Sequence, residues 1–114
     1  MRLPARLPRA IAMEVLLTGE PLDAERAAHF GLVNTVVADG AALPAALAIA
    51  GKIGQGAPLA VLAAKRVAVE SPSWPPDRAF VMQNEILAPI FASKDAREGA
   101  RAFAEHRTPV WQGN

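Results

Sequence analysis

The stretch that decides the fold reads LLTGEPLDAERAAHFGLVNTVV and covers residues 16–37. Within it, Gly19 follows an apolar helical pattern and can adopt the left-handed conformation that ends a helix. Asp23 precedes a second helical pattern over 24–30 and has the side chain of an N-cap. Residues 32–37 form the only β-rich run, and the Asp-Gly pair after it predicts a turn. The stretch therefore predicts two short helices followed by one strand.

Outward from this stretch, the sequence is rich in alanine, the residue with the highest helix propensity. Apolar positions recur at spacings of three and four, and glycine or proline separates the patterns. Besides 24–30, helices are predicted over residues 9–17, 41–53, 58–70 and 77–91, and over a sixth segment capped by Ser93. Pro89 is expected to kink or end the fifth helix.

The expected fold is mostly α with one short isolated strand over 33–37. A lone strand leaves its backbone groups unpaired, and the sequence offers no second strand to pair with it. The chain is therefore expected to be either part of a larger fold or stabilised by association.

The composition excludes several classes of function. The chain has 114 residues, no cysteine and two histidines, so disulfides, thiolate metal sites and a helical zinc motif are not expected. A net charge of +1, with acids and bases mixed along the chain, argues against nucleic acid as a partner. No run approaches the roughly 20 apolar residues of a membrane span, so no membrane partner is expected. Pro4 and Pro8 interrupt the basic start of the chain, so no targeting segment is expected. The absence of cysteine suits a reducing cytoplasm, which is the expected location.

Four carboxylates cluster in sequence and could serve as general acid and base: Glu14, Glu20, Asp23 and Glu25. A structural interpretation is favoured, because Asp23 is placed as a helix cap and Glu25 lies in a first helical turn, where the helix dipole favours an acid. His29 stands at a helix end, where the dipole favours a cation, and is also interpreted as structural. No metal site is predicted.

Residues 51–56, GKIGQG, contain the glycines of a possible phosphate loop. They match neither phosphate-loop pattern, and they follow a helix where those motifs follow a strand, so a helix end and linker is predicted. His106 and Arg107 end the sixth helix and could meet an anionic ligand, although compensation of the helix dipole is the favoured explanation.

Taken together, these residues resemble a known family. Residues 16–27 and 31–37 resemble the LTG…A..A…GLVN.VV block of the enoyl-CoA hydratase/isomerase (crotonase) family. Residues 57–60 with Lys65 resemble the helix after the family's NAPLA segment, and residues 93–111 resemble its C-terminal S.DAREG..AF.EKR.P.W.G signature. In order and spacing the resemblance covers nearly the whole chain, and it matches the C-terminal half of the family only.

The resemblance implies the C-terminal helical region of the crotonase fold, a spiral of ββα units. Residues 1–38 are then a remnant of the crotonase core, and residues 39–114 are the helical and oligomerisation region. The family's oxyanion hole and catalytic glutamates correspond to positions upstream of Met1, so no catalytic residue is carried onto this sequence. The implied reaction is hydration or isomerisation of an enoyl-CoA. The chain alone is expected to be inactive, because losing oxyanion donors costs about 10²–10³ in rate.

The resemblance also implies contacts with the adenine end of coenzyme A. Leu87 and Phe91 fall in the helix that supplies apolar contacts, and His106 stands where the family often has a lysine. A histidine loses its charge near neutral pH, so a phosphate contact here would weaken above it. Coenzyme A enters as the thioester substrate, and no cofactor is expected. The expected partner is a second copy in a trimer-type contact or a full-length family subunit. The alternative function is a helical interaction module, a truncated paralogue without catalysis.

Overall fold

A computed structural model describes residues 2–114, and these are 64% helical. The α-helices are α1 (Arg9–Thr18), α2 (Ala24–His29), α3 (Ala42–Gly54), α4 (Pro58–Glu70), α5 (Ala79–Phe91) and α6 (Lys94–Ala104). Short 3-10 helices cover Leu3–Ala5 and Ser71–Ser73. The mostly α class is confirmed, and the helix ends lie within about two residues of the predicted ones, the usual uncertainty at helix termini.

The predicted strand over 33–37 is wrong. Within residues 2–114 the chain forms no strand, and this run begins in a bend and continues without regular secondary structure. The amides of Leu32 and Val33 instead donate to the carbonyl of Ala27, at 2.8 and 3.4 Å, which closes the end of α2. A β-rich run becomes a strand only where a second strand accepts its hydrogen bonds, and these residues supply none.

The chain divides into two compact units, Met1–Ala45 and Ala46–Asn114. In the first, Asp23 caps α2 by accepting a hydrogen bond from the amide of Arg26 at 2.7 Å, as predicted. Gly19 and Gly31 end α1 and α2 with left-handed φ angles of 69° and 74°. Local sequence signals therefore define both helices of this unit.

In the second unit, α4 packs against α5, and α5 contacts α6. Pro58 occupies the first turn of α4, where a missing amide proton costs nothing. Pro89 lies inside α5, which ends two residues later at Phe91. These three helices and the tail after α6 contain the site described below.

All but one of the buried apolar residues are alanines. Within residues 2–114 they are Leu7, Ala12, Ala27, Ala63 and Ala102. Large apolar side chains such as Leu43 on α3, Leu62 on α4 and Phe80 on α5 are instead more than 60% exposed. Exposed apolar surface on this scale is typical of a face that another protein surface covers.

No single helix of residues 2–114 is long and apolar enough to cross a membrane. One helix pair, Ala42–Gly54 with Pro58–Ser73, passes the length and composition test when taken together, and it is bent by 113°.

Candidate functional site

The start of α6 is fixed by the side chain of Ser93. Its hydroxyl oxygen accepts a hydrogen bond from the amide of Ala96 at 3.0 Å and donates one to the carbonyl of Ile90 at 2.6 Å. This is the N-cap predicted from the sequence. The same side chain joins the end of α5 to the start of α6, which orients the first turn of α6.

Asp95 lies in that first turn and is only 2% exposed. Its two carboxylate oxygens accept hydrogen bonds from the amides of Gln112 at 2.7 Å and Gly113 at 2.9 Å. In return, the carbonyl of Asn114 accepts a hydrogen bond from the amide of Lys94 at 2.9 Å. A buried carboxylate is tolerated when hydrogen bonds and a helix N-terminus compensate its charge, and both are present here. Asp95 thus binds the C-terminal tail to the beginning of α6.

One helical turn further on, Glu98 binds the tail a second time. Its carboxylate accepts hydrogen bonds from the amide of Val110 at 2.9 Å and from two nitrogens of the Arg107 guanidinium. The bond from Arg107, followed by that from Val110, lowers the pKa of Glu98 to about 2. Glu98 therefore remains ionised through the whole physiological range.

The end of α6 carries a chain of ion pairs. Glu105 lies between Arg101, at 2.9 Å, and Arg107, at 2.6 Å. These two hydrogen bonds lower the pKa of Glu105, and the bonds to Glu98 and Glu105 raise the pKa of Arg107. All of these side chains are partly or largely exposed, so the pairs orient the tail more than they stabilise the fold.

Trp111 forms part of the wall of a partly open, apolar cavity of about 330 Å³. The cavity is lined by Ala57, Leu59, Ala60, Ile90, Phe91, Ser93, Asp95, Ala96, Gly99, Ala100 and Trp111. The indole nitrogen donates a hydrogen bond to the carbonyl of Gln55 at 2.8 Å. A Cβ atom on Gly99 would lie 3.3 Å from Cη2 of the indole, so the missing side chain of Gly99 leaves the space that Trp111 occupies.

A second depression, of about 270 Å³, lies beside the first turns of α6. It is lined by Lys94, Asp95, Arg97, Glu98, Arg101, Val110 and Gln112. Its three cations face two acids that already bind the tail, so the depression carries little net positive charge.

Two of the residues predicted to contact coenzyme A lie on α5, and the third lies just after α6. Leu87 is half-buried on α5, and Phe91, one turn later, is 76% exposed at the rim of the cavity. His106 is exposed and follows the last turn of α6, with a left-handed φ of 53°. Phe91 precedes α6 and His106 follows it, so the two residues lie at opposite ends of this helix. Its 11 residues make it about 16 Å long. They could contact different parts of one extended ligand, and their role stays a prediction.

Three of the other candidate groups, Glu14, Asp23 and His29, have structural partners. Glu14 pairs with Arg26 at 3.1 Å, which joins α1 to α2, and Asp23 caps α2. The ring of His29 packs edge-on against Phe30 with centroids 4.9 Å apart. In residues 2–114 no group of three or more histidines and acids could hold a metal ion. These residues therefore stabilise the first unit locally.

Sequence reasoning missed the role of Asp95 and Glu98. Their spacing places both on one face of α6, but the sequence does not show that the tail runs along that face. On the same helix, Gly99 allows close packing against Trp111, whereas Phe103, one turn further on, is 83% exposed.

Comparison with known proteins decides the family. The family model described as enoyl-CoA hydratase/isomerase matches residues 1–114. The chain belongs to this family. The crotonase resemblance drawn from the sequence is therefore confirmed.

Relatives and solved structures of the family agree. The chain is 42% identical to enoyl-CoA hydratase EchA19 of Mycobacterium tuberculosis over 98% of this chain and 42% of the relative. It is 38% identical to the (E)-benzylidenesuccinyl-CoA hydratase of Thauera aromatica over 97% of this chain and 43% of the relative. The crystal structure of enoyl-CoA hydratase EchA1 from Mycobacterium marinum matches with a TM-score of 0.95 at 56% identity, covering 99% of this chain and 45% of that one.

The chain thus spans less than half the length of the enoyl-CoA hydratases it matches. Its helices correspond to the helical C-terminal region of the crotonase fold, as expected from the sequence.

Proposed function

We propose that these residues serve an enzyme that hydrates or isomerises an enoyl-CoA thioester. The observation that carries the proposal is the family match over all 114 positions. Relatives with carnitinyl-CoA dehydratase and (E)-benzylidenesuccinyl-CoA hydratase in their names also handle CoA thioesters by adding or removing water. The acyl group itself is left open, because the resemblance assigns its recognition to other segments.

Within such an enzyme, we infer a supporting role for this chain and not a chemical one. Its buried acid, Asp95, is held by backbone amides, and Glu14 and Glu98 are paired with arginines. None of them is positioned as a free acid or base. A polypeptide of these 114 residues alone should therefore leave an enoyl-CoA unchanged, and following the absorbance of the conjugated thioester tests this.

A chimera tests the positive part of the proposal. The corresponding C-terminal region of the Mycobacterium marinum hydratase is replaced by residues 1–114, which are 56% identical to it over the matched region. A chimera that hydrates crotonyl-CoA within about tenfold of the parent rate supports the proposal, since that loss is about 1.4 kcal/mol of barrier. A chimera that folds and assembles like the parent but shows no hydratase activity would contradict it.

We also propose that Leu87, Phe91 and His106 contact the adenosine end of coenzyme A. The exposure of Phe91 and His106 supports this, because both side chains are available to a ligand. In the chimera, Phe91→Ala and His106→Ala should raise KM for the CoA thioester. The same changes should leave KM for the matching acyl-pantetheine thioester unchanged, because that substrate lacks the adenosine. Equal effects on both substrates would refute the assignment.

His106→Lys provides a sharper version of this test. The ammonium group of lysine is a charged hydrogen-bond donor to phosphate. The variant should therefore lower KM for the CoA thioester and leave KM for the acyl-pantetheine thioester unchanged. An unchanged KM for the CoA thioester would argue against a phosphate contact at this position.

A second candidate function is a helical interaction module that binds a further copy of the chain or a full-length family subunit. The observation that favours it is the exposed apolar surface of α3, α4 and α5, where Leu43, Leu62 and Phe80 are more than 60% exposed. Size-exclusion chromatography with light scattering tests it. A trimer or a stable complex with a full-length relative is expected, and a monomer that binds no relative would contradict this function.

We further propose that the protein acts in the cytoplasm. The lack of cysteine is compatible with a reducing compartment, and the proposed substrate class is water-soluble. Cell fractionation followed by immunodetection should find the chain with cytosolic markers, and recovery with membranes would contradict this.

A further inference from the structure

We propose that residues 108–114 form a detachable strap that places Trp111 in the wall of the apolar cavity, and that Asp95 is the positioning residue that holds the strap in place. The strap lies entirely within the second unit, and its detachment does not depend on the proposed reaction.

The strap is attached in a way that differs from the helices. Its residues have no regular secondary structure, and the amides of Val110, Gln112 and Gly113 all donate to side-chain carboxylates of α6. Asp95 receives two of these three bonds and Glu98 the third. The strap can therefore leave without breaking any backbone hydrogen bond inside α6.

The two ends of the strap are also defined. At its beginning, the amides of His106 and Arg107 donate to the carbonyls of Phe103 and Ala102, which closes α6 before the strap starts. At its end, the amide of Lys94 donates to the carbonyl of Asn114. The junction after Arg107 can thus act as a hinge. When the strap moves, α6 retains its N-cap, Ser93, and the left-handed residue after its last turn, His106.

Trp111 is the part of the strap that lines the cavity. Its ring lies against Gly99, and its indole N–H donates to the carbonyl of Gln55, 56 residues earlier in the chain. When the strap detaches, the indole leaves the small residues Ala96, Gly99 and Ala100, and the cavity loses the part of its wall that the indole supplies. The hydroxyl of Ser93 in the same wall is already bonded to backbone, so it does not depend on the strap for its hydrogen bonds.

Asp95 holds the strap on α6 because its carboxylate is the main hydrogen-bond acceptor for the amides of the strap. In Asp95→Asn, one carboxylate oxygen becomes an amide NH₂ group, which cannot accept a hydrogen bond. One of the amides of Gln112 and Gly113 then loses its partner. Since an unsatisfied buried donor is costly, the tail amides should exchange with solvent about tenfold faster.

The experiment uses the chain with Trp74→Phe, which leaves Trp111 as its single tryptophan. Asp95→Asn in this background should shift the Trp111 emission to longer wavelength and increase its quenching by acrylamide. The far-UV circular dichroism of the helices should stay unchanged. The matched control is Asp77→Asn, at an exposed acid of the same unit, which should change none of these signals.

Unchanged emission and quenching in Asp95→Asn would overturn the proposal. Loss of the helical signal in that variant would overturn it as well, because it would show that strap and helices unfold as one unit.

The unmutated chain gives a second measurement that does not depend on how a variant folds. In hydrogen exchange, the amides of Val110, Gln112 and Gly113 should exchange faster than the amide of Ala102 in α6. Low concentrations of urea should not change the exchange rates of the three strap amides, because they exchange through local opening. Exchange of all four amides with one rate and one urea dependence would refute a detachable strap.

Discussion

Replacing Gly99 by alanine tests the packing of Trp111 against α6. Within a helix, alanine is favoured over glycine by about 0.5–1 kcal/mol, because glycine loses more backbone entropy on folding. At Gly99 the new Cβ would lie 3.3 Å from Cη2 and 3.5 Å from Cζ3 of the Trp111 ring. The first distance is shorter than an ordinary carbon–carbon contact, so the ring must move by a few tenths of an ångström.

Gly51 in α3 provides the matched control. It is also a helical glycine, and a Cβ there would meet no atom within 4 Å. Gly51→Ala should therefore raise the free energy of unfolding by about 0.5–1 kcal/mol. Gly99→Ala should raise the free energy of unfolding much less, or lower it, because displacing the indole offsets the gain in helix propensity. Gly99→Val should cost about 1–3 kcal/mol, the usual range for overpacking.

Urea unfolding followed by circular dichroism measures all three variants, with acrylamide quenching of Trp111 as a local readout. The quenching should increase in Gly99→Val and stay constant in Gly51→Ala. The reasoning is refuted if Gly99→Ala and Gly51→Ala raise stability equally, since Trp111 would then not occupy the space above Gly99.

Three further predictions concern α6. Ser93→Ala removes the N-cap of α6 and should lower the free energy of unfolding by about 1 kcal/mol in urea titrations. Ser93→Asp keeps a capping side chain and should retain most of the wild-type stability. His106→Gly removes the strain of a side chain in a left-handed conformation and should stabilise the chain by up to about 1 kcal/mol in the same assay. A clear loss of stability would contradict the left-handed geometry at this residue. Because folding lowers the pKa of Glu98 from 4.5 to about 2, its contribution to stability should be complete above pH 4.5 and lost as the pH falls towards 2. Glu98→Gln should flatten the change in unfolding midpoint over that range, and an identical pH dependence in the two proteins would contradict the assignment.

The helices were predictable because their signals are local. Asp23, Ser93 and Pro58 mark helix starts through bonds or dihedral angles that involve only residues within one turn. The left-handed Gly19 marks an end in the same way. The β-rich run at 33–37 was misassigned for the opposite reason, because its conformation depends on a partner strand that residues 2–114 do not provide.

Motifs spread along the amino-acid sequence were enough to identify the family. The mostly α class and the residues that start and end the helices were also predictable, since they depend on neighbours within a few positions. The structure was needed to show that Asp95 binds the tail 17 and 18 residues later and that Trp111 reaches Gln55 across 56 residues. A composition or spacing rule cannot specify such pairs, because any of several acids could accept the same backbone amides. Burial selects among them: Asp95 is the acid that the fold removes from water, and the tail amides supply the hydrogen bonds that its buried charge requires.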